Sequence, residues 1–433
     1  MLPNPVVMEA VEKLNFQVTT ADVASQTGLP LQVANREVAN LASLTGGHLQ
    51  VSQTGEIAYK FTRDFRQVLL RRSASARWQK FWRDIGNFLF YLLRISFGIV
   101  LVVSIVLVVV AIVVAIIIIS SSSSNDDRSD SRSDNDVNWF GFLGNFFIFF
   151  DPVYVYDDYS YTDRPAQRPK APQPKPEGDR GFLENVFSFL FGDGNPNRDL
   201  EDQRYRLIAQ VIRNYDGVVI GEQILPYLDE TQPSSYEDYM LPVLARFNGY
   251  PEVTPDGTIA YRFPDLMQVA SRRPKKSVPS FLQEKLWRFN NAGDSANTLS
   301  GGLGVFYLGA SLLLGVLLRH PAVQRNLTGF LGFVNGIFVF LLGYAILFLA
   351  IPTVRYMLIQ LWNEPIKTRN NQRYNFAQQL QKTTPELKRK LQSVKALAIE
   401  QSAVSEQKLA YSTEEDLLLQ ELQALLGEEE EQV

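Results

Sequence analysis

The 433-residue chain contains no cysteine. That absence excludes disulfides, thiolate metal sites, iron–sulfur ligation by this chain and a cysteine nucleophile. Histidine is nearly absent too: His48 and His320 are the two in the sequence, too few for an imidazole metal site or a Ser-His-Asp arrangement with residues to spare. His48, next to Gly46 and Gly47, reads as the start of a hairpin, and His320 as part of a turn between apolar segments. No GxxxxGK[ST] loop, GxSxG elbow, HExxH helix or paired aspartate cluster occurs. The carboxylates at 125–136 and 428–431 read as solvated runs in polar tails. A net charge of −4 gives no wholesale attraction to nucleic acid. No catalytic residue, cofactor-binding residue or metal ligand is nominated, and the expectation is a non-enzymatic protein with no cofactor. Residues 1–15 have neither a basic start nor an apolar core, so no ordinary signal peptide is read there.

What is abundant is uncharged length. Residues 96–119 (SFGIVLVVSIVLVVVAIVVAIIII) run without a charge, and a helix of that length spans about 36 Å at about 1.5 Å per residue, against about 30 Å of hydrocarbon. This is read as a transmembrane helix. Residues 299–318 and 327–351 make two more, joined by the polar connection 319–326. Gly301, Gly302, Gly304, Gly309 and Gly315 in one, and Gly329, Gly332, Gly336 and Gly343 in the other, favour close packing as a hairpin. Cations and indoles gather before the first span at 71–83 (RRSASARWQKFWR), so Arg71, Arg72, Trp78 and Trp82 are nominated as membrane-surface contacts. Arg272, Arg273, Lys275 and Lys276 are nominated likewise ahead of the second. Residues 120–136 are polar and low in complexity, and the sequence predicts disorder there. The aromatic stretch 139–150 (WFGFLGNFFIFF) is too short to span as a helix and reads as interfacial or re-entrant. A tyrosine- and proline-rich linker follows. Residues 181–191 form a short apolar helix, lying on the bilayer or covering a neighbouring domain.

The chain also repeats itself. VSQTGEIAYKF at 51–61 returns as VTPDGTIAYRF at 253–263, each position 202 residues after its counterpart. The shared positions are Val51, Gly55, Ile57, Tyr59 and Phe61, answered by Val253, Gly257, Ile259, Tyr261 and Phe263. Each copy reads as two strands around a glycine turn. Helical patterns precede both: 5–14, a helix opened by Thr20, Ala21 and Asp22 and ended by Gly28, and 31–44 in the first; 204–215, 221–228 and 234–247, with Ser234 or Ser235 as N-cap, in the second. Three helices and a hairpin is the order of a winged helix. The expected fold is therefore mixed: an α-helical integral membrane protein with two winged-helix (α+β) domains and a C-terminal helical tail. The boundaries expected are 1–72 for the first winged helix, 78–119 for the amphipathic entry and first transmembrane helix, and 120–180 for an acidic, aromatic and proline-rich linker. They continue with 181–273 for the second winged helix, 299–318 and 327–351 for the remaining transmembrane helices, and 363–433 for the tail.

In a winged helix that reads DNA, the third helix enters the major groove and carries cations. Here 31–44 has Arg36 beside Glu37, and 234–247 has Glu237 and Asp238 against Arg246. Lys60, Arg63 and Arg66 add basic character near the first hairpin but lead to the membrane. In the tail, Phe376, Leu380, Leu387, Leu391, Val394 and Ala398 recur at helical spacing, Pro385 marks a helix start, and Leu417, Leu418, Leu422, Leu425 and Leu426 form a second apolar face. A helical hairpin or a docking element fits that pattern. Positive charge before the first span, before the second and after the third (Arg355, Lys367, Arg369, Arg373) favours one cytoplasmic face for both winged helices and the tail, which three crossings cannot provide. Either 139–150 returns the chain, or the first domain faces away. The shared compartment is preferred.

The run from Asn185 to Leu228, with VFSFLFGDGNPN and RLIAQVIRNYDGVVIGEQILPYL, and the hairpin VTPDGTIAYRFPDL resemble an uncharacterised membrane-protein family shared by cyanobacteria and chloroplast envelopes. Some plant members carry an iron–sulfur cluster biosynthesis label. The resemblance implies an organelle and a membrane, cyanobacterial plasma or thylakoid here, and no mechanism. The expected function is a membrane scaffold or assembly factor whose winged helices engage protein partners, with lipid against the basic flanks and self-association left open. The alternative is a membrane-tethered nucleic-acid-binding regulator, against which the neutral third helices argue. A transport component is third, and Ser104, Asn335 and Tyr344 offer it little.

Overall fold

The computed structural model describes residues 3–72, 74–122, 181–230, 236–382, 384–399, 401–404 and 409–414. The chain is mostly helical with small sheets, and it divides into two compact units. One unit comprises 1–85, 195–287 and 362–433; the other comprises 86–194 and 288–361. The aromatic stretch 139–150, the linker, the Ser234 or Ser235 cap and the leucine face at 417–426 lie outside the described residues.

The first unit begins with α1 (Pro5–Lys13), where Asn4 caps the N-terminus by accepting from the Val6 N–H. β1 (Gln17–Thr19) runs into α2 (Thr20–Thr27), started by a capping box between Thr19 and Asp22 and ended by Gly28 at φ 80°. α3 (Leu31–Thr45) buries Leu31, Ala34, Val38, Leu41 and Ala42 along one face. β2 (His48–Ser52) and β3 (Ile57–Lys60) form an antiparallel hairpin, and β1 pairs with the other edge of β3. Gly55 supplies the turn at φ 85°. α4 (Phe65–Arg72) and α5 (Ala74–Ser122) follow. After α6 (Phe182–Phe191), which belongs to the other unit, the middle segment supplies α7 (Leu200–Asn214), β4 (Val218–Val219) and α8 (Gly221–Ile224). α9 (Leu241–Phe247), β5 (Tyr250–Val253), β6 (Ile259–Arg262) and β7 (Gln268–Val269) complete it. β4, β6 and β5 make a sheet whose hairpin register pairs Val253 with Ile259, as β2 and β3 pair Val51 with Ile57.

Two helices of the middle segment are shorter than their pattern predicts. The helix expected over 221–228 gives way at Leu225 to a 3-10 turn containing Pro226, whose missing N–H removes a helical hydrogen bond. The one expected over 234–247 is a 3-10 turn at Asp238–Met240 followed by α9, with Pro242 in the first turn of the latter. One apolar core serves both segments: Val11, Val23, Val38 and Leu41 are buried in the same cluster as Ile208, Ile212, Met240 and Phe247.

In the second unit, α10 (Asp294–Leu317) and α12 (Gly329–Gln381) flank the short α11 (Pro321–Gln324). Phe81–Ser122, Asp294–Leu317 and Gly329–Gln381 are long and apolar enough to cross a membrane. α5 and α12 continue well past the expected spans, because hydropathy marks only the part suited to hydrocarbon while backbone hydrogen bonding carries the helix on. α10 and α12 pack antiparallel. A Cβ on Gly304 would meet the Phe348 ring and one on Gly315 the Phe338 ring, each at 2.7 Å. The Tyr307 hydroxyl donates to Leu341 O at 2.8 Å. Gly302, Gly309, Gly336 and Gly343 face open space instead, so two glycines rather than a stripe carry the close approach. α6 buries Val186, Phe189 and Leu190 in this unit's core. The domain boundary expected at 181 thus moves to 195, because the apolar face of α6 finds its partners among apolar helices.

The C-terminal part differs most from its pattern. Past α12, α13 (Pro385–Lys395) is capped by Thr384, and then β8 (Ser402–Ala403) and β9 (Leu409–Ser412) are strands. β8 pairs parallel with β7, and β9 pairs antiparallel with β2. Among its described residues the tail expected to be helical holds the end of α12 and all of α13, and adds two short strands that the pattern did not predict. The Leu49 N–H donates to Thr413 Oγ1 at 2.8 Å and Leu49 O accepts from Thr413 N at 3.0 Å, so β9 satisfies a strand edge that helical periodicity cannot register.

Candidate interaction site

The two segments of the first unit are joined through α2 and α7. Asp22, closed off from solvent on its side-chain face, accepts from Arg213 Nη2 at 2.9 Å. Its other oxygen takes the Ala270 N–H at 2.8 Å. Arg213 Nη1 also donates to Ser25 Oγ at 2.6 Å. The capping-box aspartate of α2 is thus the buried counter-ion of α7, a charge-assisted pair whose second oxygen also takes backbone N–H groups. At the other end of α2, a Cβ on Gly28 would collide with the backbone of Asp202. Arg246 of α9 donates from Nε to Gly28 O at 2.7 Å and lies 3.8 Å over the Tyr205 ring.

That use of Arg246 decides the character of the outward faces. The exposed side of α3 presents Gln32, Asn35, Arg36, Ala39 and Ser43, with Arg36 3.7 Å from Glu37. The exposed side of α9 presents Leu241, 62% accessible, with Pro242 and Ala245. Of the hairpin residues singled out in the sequence, Tyr59, Phe61, Tyr261 and Phe263 are buried, whereas Ile57 and Val253 are exposed, Val253 at 67%. Gly55 and Gly257 sit in the turns at φ 85° and 83°, and Val51 and Ile259 are half-buried. The signature therefore splits into aromatic core positions and an apolar outer edge.

The tail covers one face of the second hairpin. Val394 of α13 is buried with Val218, Ile220 and Ala260. Lys390 pairs with Glu222 at 2.8 Å, and Ser393 Oγ donates to Asp256 Oδ2 at 2.6 Å. Hydrogen bonds from the hydroxyls of Ser393, then Thr254 and Thr258, hold the exposed Asp256 carboxyl at about 2, below its ordinary 3.8. Burial pushes the Glu237 carboxyl up despite the hydrogen bond that Tyr261 donates to it. The part of α12 in this unit is locked by Arg373, 1% exposed, which meets Glu284, 4% exposed, at 2.8 Å. Arg373 also pairs with Asp229 and donates to Leu228 O at 2.9 Å and Leu282 O at 3.1 Å. Arg369 grips both Glu284 oxygens, at 2.8 and 2.7 Å. Burial opposes ionisation of Asp229 and Glu284, but the arginines outweigh it and both carboxyls lie below their ordinary values.

The nominated membrane-surface residues separate into two groups. Trp78 and Trp82 are exposed on α5, Trp78 stacked on Phe81 and Trp82 edge-on to it, and Arg71 and Arg72 end α4. Arg272 is exposed. The other three cations turn to groups of the first unit: Arg273 Nη2 donates to Leu14 O at 3.2 Å, Lys275 pairs with Asp216 at 3.0 Å, and Lys276 Nζ donates to Gln26 Oε1 at 3.3 Å. Arg213, Arg246, Arg373 and Glu284 escaped the sequence reading as functional positions, since single charges in polar helices carry no spacing signal. Among the described residues no three carboxylate or imidazole groups converge as a metal ligand set.

No family model matches the chain, and no solved structure does. A protein of Arabidopsis thaliana described as uncharacterised and chloroplastic is 34% identical over 428 residues, covering 95% of this chain and 79% of the plant protein. At that identity and coverage, the chain belongs to the family of this chloroplastic plant protein.

Proposed function

We propose that the protein is a non-enzymatic integral membrane scaffold or assembly factor. In this reading the hairpin segments are duplicated winged-helix domains, held in one body and clasped by the tail, with protein-binding surfaces beside the membrane. The observation that carries it is the chemistry of α3 and α9, the helices a DNA-reading winged helix would put in the groove. α3 offers amides and one arginine, Arg36, offset by Glu37 at 3.7 Å, and α9 offers Leu241, Pro242 and Ala245, its arginine being spent on Gly28 and Tyr205. Such faces lack the several cations that neutralise phosphates, whereas apolar exposed positions suit a protein partner. The iron–sulfur label of some plant relatives supplies no ligand set for a chain without cysteine.

The shared core of the two segments also supports one compartment for both, so that an even number of crossings separates Ile85 from Asn195. The placement proposed is a cyanobacterial plasma or thylakoid membrane with the first unit on the cytoplasmic side. The cysteine-free chain suits single-cysteine labelling. Gln53→Cys and Gln283→Cys should react with a membrane-impermeant maleimide from the same side, and opposite sides would refute the shared compartment.

The function is tested with full-length protein purified from gently solubilised membranes. Wild type should bring down stoichiometric protein partners that the Leu241→Glu and Val253→Glu variants lose, and should bind duplex DNA no better at low than at high salt. Salt-dependent DNA binding would replace the scaffold with a membrane-tethered regulator.

A further inference from the structure

The cations ahead of the second span line a small cleft where the two segments of the first unit meet. Arg213, Arg273 and Lys276 form its basic side, with Ser25, Gln26 and Asn214 among the other walls, and its volume is about 40 Å³. No carboxylate lines it among the described residues. The cations are anchored from both segments. Arg213 is fixed by Asp22 and Ser25, Arg273 by Leu14 O, and Lys276 by Gln26, while Asn214 Nδ2 donates to Lys276 O at 2.7 Å and holds the loop.

The charges do not balance. Asp22 serves Arg213 and Asp216 serves Lys275. Among the described residues Arg273 and Lys276 meet only neutral oxygens. Partial burial, then the neighbouring Arg273 and Arg213, hold the Lys276 ammonium below the ordinary lysine range. A fork of arginine donors beside a lysine point charge, with amide groups alongside, is the donor set that recognises a phosphoryl group. Organic ligand pockets run to about 300–1,000 Å³, so this cleft takes a terminal oxyanion and leaves any larger body outside.

We infer that Arg273 and Lys276, with Gln26 and Asn214, form an oxyanion site for a phosphoryl group, either free phosphate or the headgroup of an anionic phospholipid. The site goes beyond the scaffold reading and does not depend on it, since it needs only the two segments packed together.

The test uses full-length protein in neutral detergent, as wild type, as Arg273→Gln/Lys276→Gln and as the charge-keeping Lys276→Arg. Thermal unfolding is followed against inorganic phosphate, with sodium chloride at matched ionic strength as reference. Native mass spectrometry then counts phosphatidylglycerol retained from mixed phosphatidylglycerol and phosphatidylcholine vesicles. Stabilisation by phosphate that weakens about ten-fold or more in apparent affinity in the double variant, and survives Lys276→Arg, supports the site with a soluble anion. No effect of phosphate, but one retained phosphatidylglycerol lost from the double variant and kept by Lys276→Arg, supports the site with a lipid headgroup. Equal behaviour of wild type and double variant in both measurements overturns it. Lys276→Gln alone, which removes one hydrogen bond, from Nζ to Gln26, gives the same reading if the double variant is unstable.

Discussion

Arg373 is the side chain whose loss the first unit should feel most. Replacing it with methionine keeps much of the stem volume but removes a guanidinium that is 1% exposed and bonded to Glu284, Asp229 and the carbonyls of Leu228 and Leu282. Removing one partner of a buried charge pair costs about 3–5 kcal/mol, because the remaining groups keep their desolvation penalty. Arg369 stays bound to both Glu284 oxygens, which places the loss at the lower end of that range. At about 2–4 °C per kcal/mol for a unit of this size, the unfolding midpoint should fall by about 6 °C or more. The assay is thermal unfolding of the full-length protein in detergent by intrinsic fluorescence, with Trp287 and Trp362 in ring contact nearby. Glu284→Gln should destabilise as well, since it leaves two arginines facing a neutral amide. In the double variant the two losses should overlap by about 1 kcal/mol or more, as expected for contacting residues. A midpoint shift under about 2 °C for Arg373→Met, or strict additivity in the double variant, would refute the view that this network anchors the end of α12.

Gly28→Ala should destabilise by more than Gly55→Ala. Both residues lie at positive φ, worth about 1–2 kcal/mol against a side chain, but only Gly28 would drive its Cβ into the Asp202 backbone while Gly55 has open space around it; equal denaturation midpoints would count against the close approach. Leu49→Pro should free β9 without unfolding the core, because it deletes the N–H that Thr413 accepts. Amide exchange at 409–412 should accelerate while α1–α3 stay protected, and unchanged exchange would show that β9 is held by other means. Pro251 stands 202 residues after Leu49, so the second hairpin already carries the residue that spoils this edge. Asp256, at about 2 against 3.8, contributes stability that is present above 3.8 and disappears as pH falls toward 2. Asp229 and Glu284 act in the same sense, whereas Glu237, with its pKa raised, loses its contribution as pH climbs through its folded pKa. Ser393→Ala should move acid-induced release of α13, followed by circular dichroism, to higher pH, and an unmoved transition would remove Asp256 from the clasp.

The elements that were legible in advance are those whose cause is local. Thr19 and Asp22 open α2 within one turn of helix, Gly28 closes it, Gly55 and Gly257 bend their hairpins through their own backbone freedom, and uncharged length marks the apolar helices. The candidate site was legible only in part. The hairpin aromatics were found, but their division into buried Tyr59, Phe61, Tyr261 and Phe263 and exposed Ile57 and Val253 depends on which side of each sheet meets the common core. The basic run at 272–276 was noticed as charge and assigned to lipid, yet three of its cations answer to Leu14, Gln26 and Asp216.

The sequence by itself determined the helical bias, the turns, the apolar lengths suited to a membrane and the absence of thiol chemistry, because each follows from neighbours along the chain or from composition. Tertiary structure alone decided that Asp22 would meet Arg213, that Arg246 would be withdrawn from the face of α9, that α6 would join the apolar helices, and that residues 409–412 would become a strand. Those outcomes depend on buried charges finding partners and on open strand edges finding hydrogen bonds across scores or hundreds of residues, where periodicity carries no information.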